Sequence, residues 1–179
     1  MVNKIMNLTE NDPMYNELAN EVSNATDDAL VIVARSYKNR KDSRLKPIAV
    51  KNGIYFYVAY DLDGKTAFLG NVTPEQIYKA KANMVKRVKL GNMDMMTIAT
   101  LDCYMYGAGL LYCEEFLKAM EKKIGKYYIL PSSIYELIFV PAYAHLKSEL
   151  AEMVQAVNET EVSENDYLSG RVFEIDEWI

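Results

Sequence analysis

Few residues of this sequence have the types that nucleophilic or acid–base catalysis requires. The chain holds one histidine, His145, and two cysteines, Cys103 and Cys113. A cysteine that meets a histidine in space can act as a thiolate nucleophile, so one hypothesis is a small cytosolic hydrolase or ligand-binding protein that uses these three residues. Ser132-Ser133 lacks the flanking glycines of a nucleophile elbow. We favour a non-catalytic role and assign no catalytic residue.

The same residue types argue against a bound metal or cofactor. Two cysteines and one histidine are fewer than the four ligands that a structural zinc site usually has. Asp61 and Asp63 stand in a predicted turn, without further acidic ligands at calcium-loop spacing. Gly107-Ala108-Gly109 lacks the third glycine of a dinucleotide-binding fingerprint. We therefore expect neither a metal nor a cofactor.

Two groups of residues are better suited to binding than to catalysis. The first is a tyrosine-rich hairpin in a chain with 14 Tyr, 5 Phe and 1 Trp; tyrosine is enriched at recognition surfaces. Tyr55 and Tyr57 share one face of its first strand, and both faces of that strand are apolar or aromatic. Either each face is covered by other elements or one of them forms a binding surface.

The second group is basic, although the net charge is −5. Residues 38–46 carry five basic residues and one acid, which fits a contact loop for an anionic partner or a solvated connection. A predicted helix has only positive charges after Glu75, which indicates an anionic partner or simply favours the helix dipole. The binding candidates are Tyr55, Tyr57, Lys79, Lys86, Arg87, Lys89, Arg40, Lys41 and Arg44.

Composition restricts the class of partner. The negative net charge disfavours direct binding to free nucleic acid, which needs a basic surface. No apolar run approaches the roughly 20 residues of a membrane-spanning helix, and residues 1–10 lack the apolar stretch of a signal peptide. We predict a cytoplasmic protein with reduced cysteines, without a membrane partner, that binds another protein or a protein–RNA complex. The oligomeric state stays open.

An α+β domain is expected to position these residues. The 179 residues suffice for one domain with a real core, so we predict a single domain over residues 1–179, with residues 1–28 as a candidate peripheral helical arm. A mixed, mostly antiparallel sheet should be flanked by three to four helices. The apolar patterns predict strands over residues 30–36, 53–60, 65–70, 96–101, 107–112, 127–130, 137–140 and near 167–175.

Helix signals lie between these strands. A helix is expected over residues 13–23, and Thr73 caps a second one that Pro74 begins and Gly91 ends. A third runs from near Cys113 to Gly125, and a fourth follows Pro141. After the last predicted strand we expect an exposed tail that contains Trp178.

A family resemblance rests on Tyr128-Ile129-Leu130-Pro131-Ser132-Ser133-Ile134-Tyr135-Glu136 and Val140-Pro141, in the predicted middle of the sheet. Val157-Asn158-Glu159-Thr160-Glu161-Val162 and Leu168-Ser169 support it. From about residue 48 to residue 175 the chain resembles a bacterial family catalogued only as a domain of unknown function. Members are often longer, and this chain is similar to their second half with a divergent start.

The resemblance implies no established activity, so it transfers no catalytic residue. Family members commonly carry histidine where this chain has Tyr135. The resemblance also implies an origin among gut anaerobes and their mobile elements. An accessory role would follow from that origin, such as binding and inhibiting a host CRISPR nuclease.

Overall fold

Four α-helices separate groups of strands in the part of the chain that the computed structural model describes, which is residues 15–39, 45–102 and 104–179. The α-helices are α1 (Tyr15–Asn24), α2 (Pro74–Arg87), α3 (Glu114–Ile124) and α4 (Lys147–Thr160). The strands are β1 (Leu30–Ser36), β2 (Ala49–Lys51), β3 (Ile54–Leu62), β4 (Lys65–Phe68), β5 (Val88–Met93), β6 (Met96–Leu101), β7 (Tyr127–Leu130), β8 (Leu137–Pro141) and β9 (Phe173–Glu174). The start of the predicted first helix and the candidates Arg40, Lys41, Arg44 and Cys103 lie outside the described residues.

The strands form two antiparallel sheets, which confirms the α+β class. The single mixed sheet that was predicted is wrong, because every described strand pair is antiparallel and the strands divide between two sheets. In the first sheet β3 is central: β1 pairs along its whole length, while β2 and β4 pair with its two halves. The second sheet has the order β5-β6-β8-β7-β9. The stretch that carries the family resemblance contributes β7 and β8 to the middle of this second sheet, as predicted.

The outer edge of β1 explains why the strands divide between two sheets. The Ile32 N–H donates to the sulfur of Met84 on α2 at 3.1 Å, and the Ile32 carbonyl lies directly against Gly109. A helix side chain and a backbone segment thus occupy the place where a further strand would pair with β1. The second sheet therefore forms separately.

Two apolar clusters hold these layers together. The main core joins both sheets with α1, α2 and α3, and α1 contributes Leu18, Ala19 and Val22 to it. A smaller cluster lies between the second sheet and α4, with Leu150 and Val154 of the helix at its centre. Within the described ranges, no helix is both long enough and apolar enough to cross a membrane.

The segment Gly107–Tyr112 is a 3₁₀ helix, so the strand predicted there is wrong. Its first five residues are all buried, and a short apolar run buried on every side does not distinguish a strand from a helical turn. Its glycines allow the segment to pack closely, because a Cβ at Gly107 would collide with the carbonyls of Tyr135 and Ala99. The Gly107 N–H also donates to the Tyr135 carbonyl at 2.9 Å.

Other predictions also differ from the structure. Thr73 caps α2 and Pro74 begins it as expected, with Gln76 completing a capping box, but the helix ends at Arg87, because Val88 already has extended backbone. Gly91 therefore lies inside β5 and does not end the helix. Near the end of the chain, Trp178 is only 2% exposed, so the predicted exposed tail is wrong.

Candidate interaction surface

The tyrosine-rich hairpin is mostly an internal element. Tyr57 is 3% exposed, and its ring packs edge-on against Phe68 with centroids 5.8 Å apart. Tyr55 is half-buried, with its ring centroid 6.0 Å from that of Tyr37. Phe56 and Val58 on one face of β3 and Ala59 on the other are fully buried, so other elements cover both of its faces. Tyr57 is thus unavailable as a surface contact residue, which corrects its assignment.

The basic residues of α2 divide into two pairs with different surroundings. Lys79 forms ion pairs with Asp27 and Glu75. Arg87 bonds to Asp61 at 2.8 Å and to Asp102 at 3.0 Å. These contacts largely neutralise both residues, which have structural roles whatever else they contact.

Lys86 and Lys89 remain exposed. No ion pair of the described residues includes either of them. They stand at the end of α2 and the start of β5, three positions apart. Of the basic residues predicted for binding, these two are the ones with accessible charge in the part of the chain that the structure describes.

Replacing Arg87 by methionine is expected to lower the free energy of unfolding by roughly 1–3 kcal/mol, since Asp61 would lose its ion pair with Arg87. The Asp61 side chain is only 10% exposed, so water replaces the lost contact poorly. Lys86→Met in the same turn is the matched control and should change stability by less than about 0.5 kcal/mol. Urea denaturation of both variants measures the difference, and equal stabilities would contradict the structural role of Arg87.

Exposed apolar side chains follow Lys86 and Lys89 in the chain. Leu90, Met93 and Met95 are exposed, Met93 to 58%, and they lie on the hairpin that β5 and β6 form around Asp94, whose φ of 53° turns the chain. Met93 shares a face of β5 with Lys89, while Leu90 points to the other face, because side chains alternate along a strand. These three residues, together with Lys86 and Lys89, are called the β5 surface below.

The backbone of β5 is also available for pairing. β5 is the outermost strand of its sheet. The Asp102 N–H donates to the Arg87 carbonyl at 3.0 Å, so Arg87 and Asp102 bond directly across the pair, and the register alternates from there. The N–H and C=O groups of Leu90 and Asn92 consequently point away from β6. Among the described strands, none pairs with this edge.

The sequence predicted only some of the residues that form the β5 surface. Met93 and Met95 lie outside the core, although filling the core is the commoner role of methionine. The strand β5 was missed because Lys-Leu-Gly-Asn has little β propensity. In the sequence, the turn-forming residue Asp94 between Met93 and Met95 was the one signal that indicated a hairpin.

The residues of the hydrolase hypothesis have unsuitable surroundings where the structure describes them. Cys113 is buried in the main core, and burial raises the pKa of its thiol to about 12, so it stays protonated and weakly nucleophilic near neutral pH. His145 precedes α4, with its Nδ1 atom 3.9 Å from the Glu149 carboxylate. In the described ranges, no group of three or more His, Cys, Asp or Glu side chains is arranged to hold a metal ion.

Comparison with known proteins identifies a family whose function is unknown. A family model whose description is "family of unknown function" matches residues 37–176, which is most of the chain. The searches of curated proteins and of solved structures found no match. Similarity therefore assigns neither an activity nor a partner to this chain.

Proposed function

Because this chain belongs to DUF5688, a family of unknown function, we propose its role from its geometry: a non-catalytic protein that binds another protein. The observation that carries the proposal is the β5 surface. It combines an unpaired strand edge, exposed apolar side chains and two exposed lysines without acidic partners in the described residues. An edge strand of this kind is a template for a strand from a partner.

The expected occupant of the β5 surface is an extended segment of the partner with acidic residues. Main-chain bonds to the outward groups of Leu90 and Asn92 would supply affinity, and apolar side chains would cover Met93. Acidic residues would pair with Lys86 and Lys89, which have no ion-pair partner among the described residues. Charge complementarity of this kind raises the association rate and selects among partners.

The partner class that we propose is a host protein or a ribonucleoprotein, for example a CRISPR nuclease. This class rests on the mobile-element origin that the family resemblance implies, and the exposed lysines are compatible with it. In a ribonucleoprotein we expect the contact to be made by a protein segment, because the net charge of −5 opposes direct binding to free nucleic acid.

Affinity capture with variants of the β5 surface tests the proposal. The immobilised protein is compared with the double variant Lys86→Glu, Lys89→Glu after incubation with lysate, with and without nuclease treatment, and bound proteins are quantified by mass spectrometry. We expect a specific protein whose retention falls on the order of tenfold in the double variant. Met93→Glu should reduce the same protein without altering the lysines.

The control is the double variant Lys122→Glu, Lys123→Glu, which changes the net charge equally. Both lysines are exposed in the last turn of α3, and this variant should retain the partner. Equal retention by all variants would refute binding through the β5 surface. Loss of the partner after nuclease treatment would show that the contact is made through nucleic acid.

A further inference from the structure

A cavity of about 390 Å³ lies apart from the β5 surface, where the end of β1 meets the β3–β4 turn and the chain around residues 105 and 166. Its lining includes Arg35, Thr66, Phe68, Tyr106, Tyr135 and Asp166. This volume is in the range of small-molecule sites, about 300–1,000 Å³. Two aromatic hydroxyls, one carboxyl group and one guanidinium therefore share one concave space.

Arg35 is the unusual member of this lining. Arg35 is only 8% exposed. Its Nε atom is buried and has no hydrogen-bond partner among the described residues. No carboxylate of the described residues lies within ion-pair distance of it. Burial lowers its pKa, but a guanidinium stays charged near neutral pH. Buried charges are normally paired with an opposite charge, so the guanidinium of Arg35 is available to pair with a bound anion.

Asp166 is the nearest candidate counter-ion, and it is engaged elsewhere. Its Oδ1 accepts a hydrogen bond from the Tyr135 hydroxyl at 2.7 Å. Its Oδ2 accepts one from the Ser163 hydroxyl at 2.7 Å. The bond from Tyr135 to Asp166 raises the pKa of the tyrosine, which keeps that hydroxyl protonated and in place. Asp166 thus orients Tyr135 and leaves the guanidinium of Arg35 unpaired.

Backbone bonds hold the cavity in this shape without a ligand. The Ile134 N–H donates to the Asp166 carbonyl at 3.0 Å, which ties the two walls together. The Gly107 N–H donates to the Tyr135 carbonyl, and the Tyr106 hydroxyl is hydrogen-bonded to that of Thr66. A pre-formed site loses little conformational entropy on binding.

We propose that this cavity binds a small organic carboxylate whose two oxygens are held by the guanidinium of Arg35. Bidentate pairing with a carboxylate is the geometry that arginine provides best. Phe68, Tyr106 and Tyr135 pack against the apolar body of the ligand. A phosphate dianion is disfavoured, because the negative charge of Asp166 lies in the same cavity. This site is independent of the proposed protein–protein contact.

Calorimetric titration with benzoate tests the site, with benzamide as the neutral molecule of the same shape. We expect the unaltered protein to bind benzoate about 10- to 100-fold more tightly than benzamide, the difference that a charged hydrogen-bonded pair supplies. Phenyl phosphate is the third probe and should bind more weakly than benzoate. Absent benzoate binding, equal binding of benzoate and benzamide, or tighter binding of phenyl phosphate would each overturn the proposal.

Variants assign the binding to Arg35. Arg35→Met keeps the volume and should abolish benzoate binding, while Arg35→Lys should retain part of it. Arg171→Met removes an exposed arginine and should leave binding unchanged. In the ligand-free state Arg35→Met should melt at the same or a higher temperature, since it removes an unpaired buried charge. A lower melting temperature with benzoate binding retained would show that Arg35 is structural.

Discussion

Replacing Trp178 by alanine should lower the free energy of unfolding by about 3–5 kcal/mol, the usual cost of removing a buried aromatic side chain. The indole is 2% exposed although it stands second from the end of the sequence. Its ring meets Phe173 at 5.5 Å and Phe56 at 6.2 Å between centroids, in both cases edge to face. The Lys51 ammonium group also lies over the ring, 5.5 Å from its centroid.

Denaturation by urea measures this loss, and Ile179→Ala is the control. Ile179 follows Trp178 directly but is 38% exposed, so its truncation should cost much less. A Trp178→Phe variant should lie between the two, because it keeps part of the aromatic contact with Phe56 and Phe173. Equal stabilities of Trp178→Ala and Ile179→Ala would mean that the end of the chain does not contribute to the core.

Replacing Gly109 by alanine should lower the free energy of unfolding by a similar amount. Trp178→Ala removes buried atoms, whereas Gly109→Ala adds an atom where there is no room for it. A Cβ at this position would lie 1.9 Å from the Ile32 carbonyl oxygen and 2.7 Å from Cε of Met84. The methionine can move, but the carbonyl belongs to β1. We expect a loss of roughly 3 kcal/mol or more, or failure to fold.

Gly91→Ala is the matched control for Gly109→Ala. Gly91 lies in β5, and a Cβ there would meet no atom within 4 Å. Its stability should change by less than about 0.5 kcal/mol. Thermal and urea denaturation of the two variants measure this difference in stability. If Gly109→Ala were as stable as Gly91→Ala, the 3₁₀ helix could not lie against β1.

Local sequence signals predicted much of the fold. The strands β1, β6 and β7 have the predicted bounds, because β-branched and aromatic runs between turn residues are recognisable without their neighbours. The start of α2 at Pro74 followed from Thr73 as the cap and Pro74 at the first helical position, two adjacent residues. The turn at Gly64, with φ of 80°, followed from the need for a residue that tolerates positive φ.

Predictions that depended on distant neighbours were less successful. Tyr57 was assigned to a surface, but Phe68 on the neighbouring strand covers it. Lys79 and Arg87 were assigned to a binding helix, but the acids that neutralise them include Asp27 and Asp61, far away in the sequence. Charge patterns show how many charges a helix carries and do not show which of them are paired.

The sequence by itself determined the α+β class, the family and most strand positions, because each depends on residues close together along the chain. Only the tertiary structure decided which residues are available for function. It buried Tyr57 and Trp178, exposed Met93 beside Lys86 and Lys89, and enclosed Arg35 without a counter-ion among the described residues. Burial and ion pairing are set by residues distant in sequence, so periodicity and composition do not contain them.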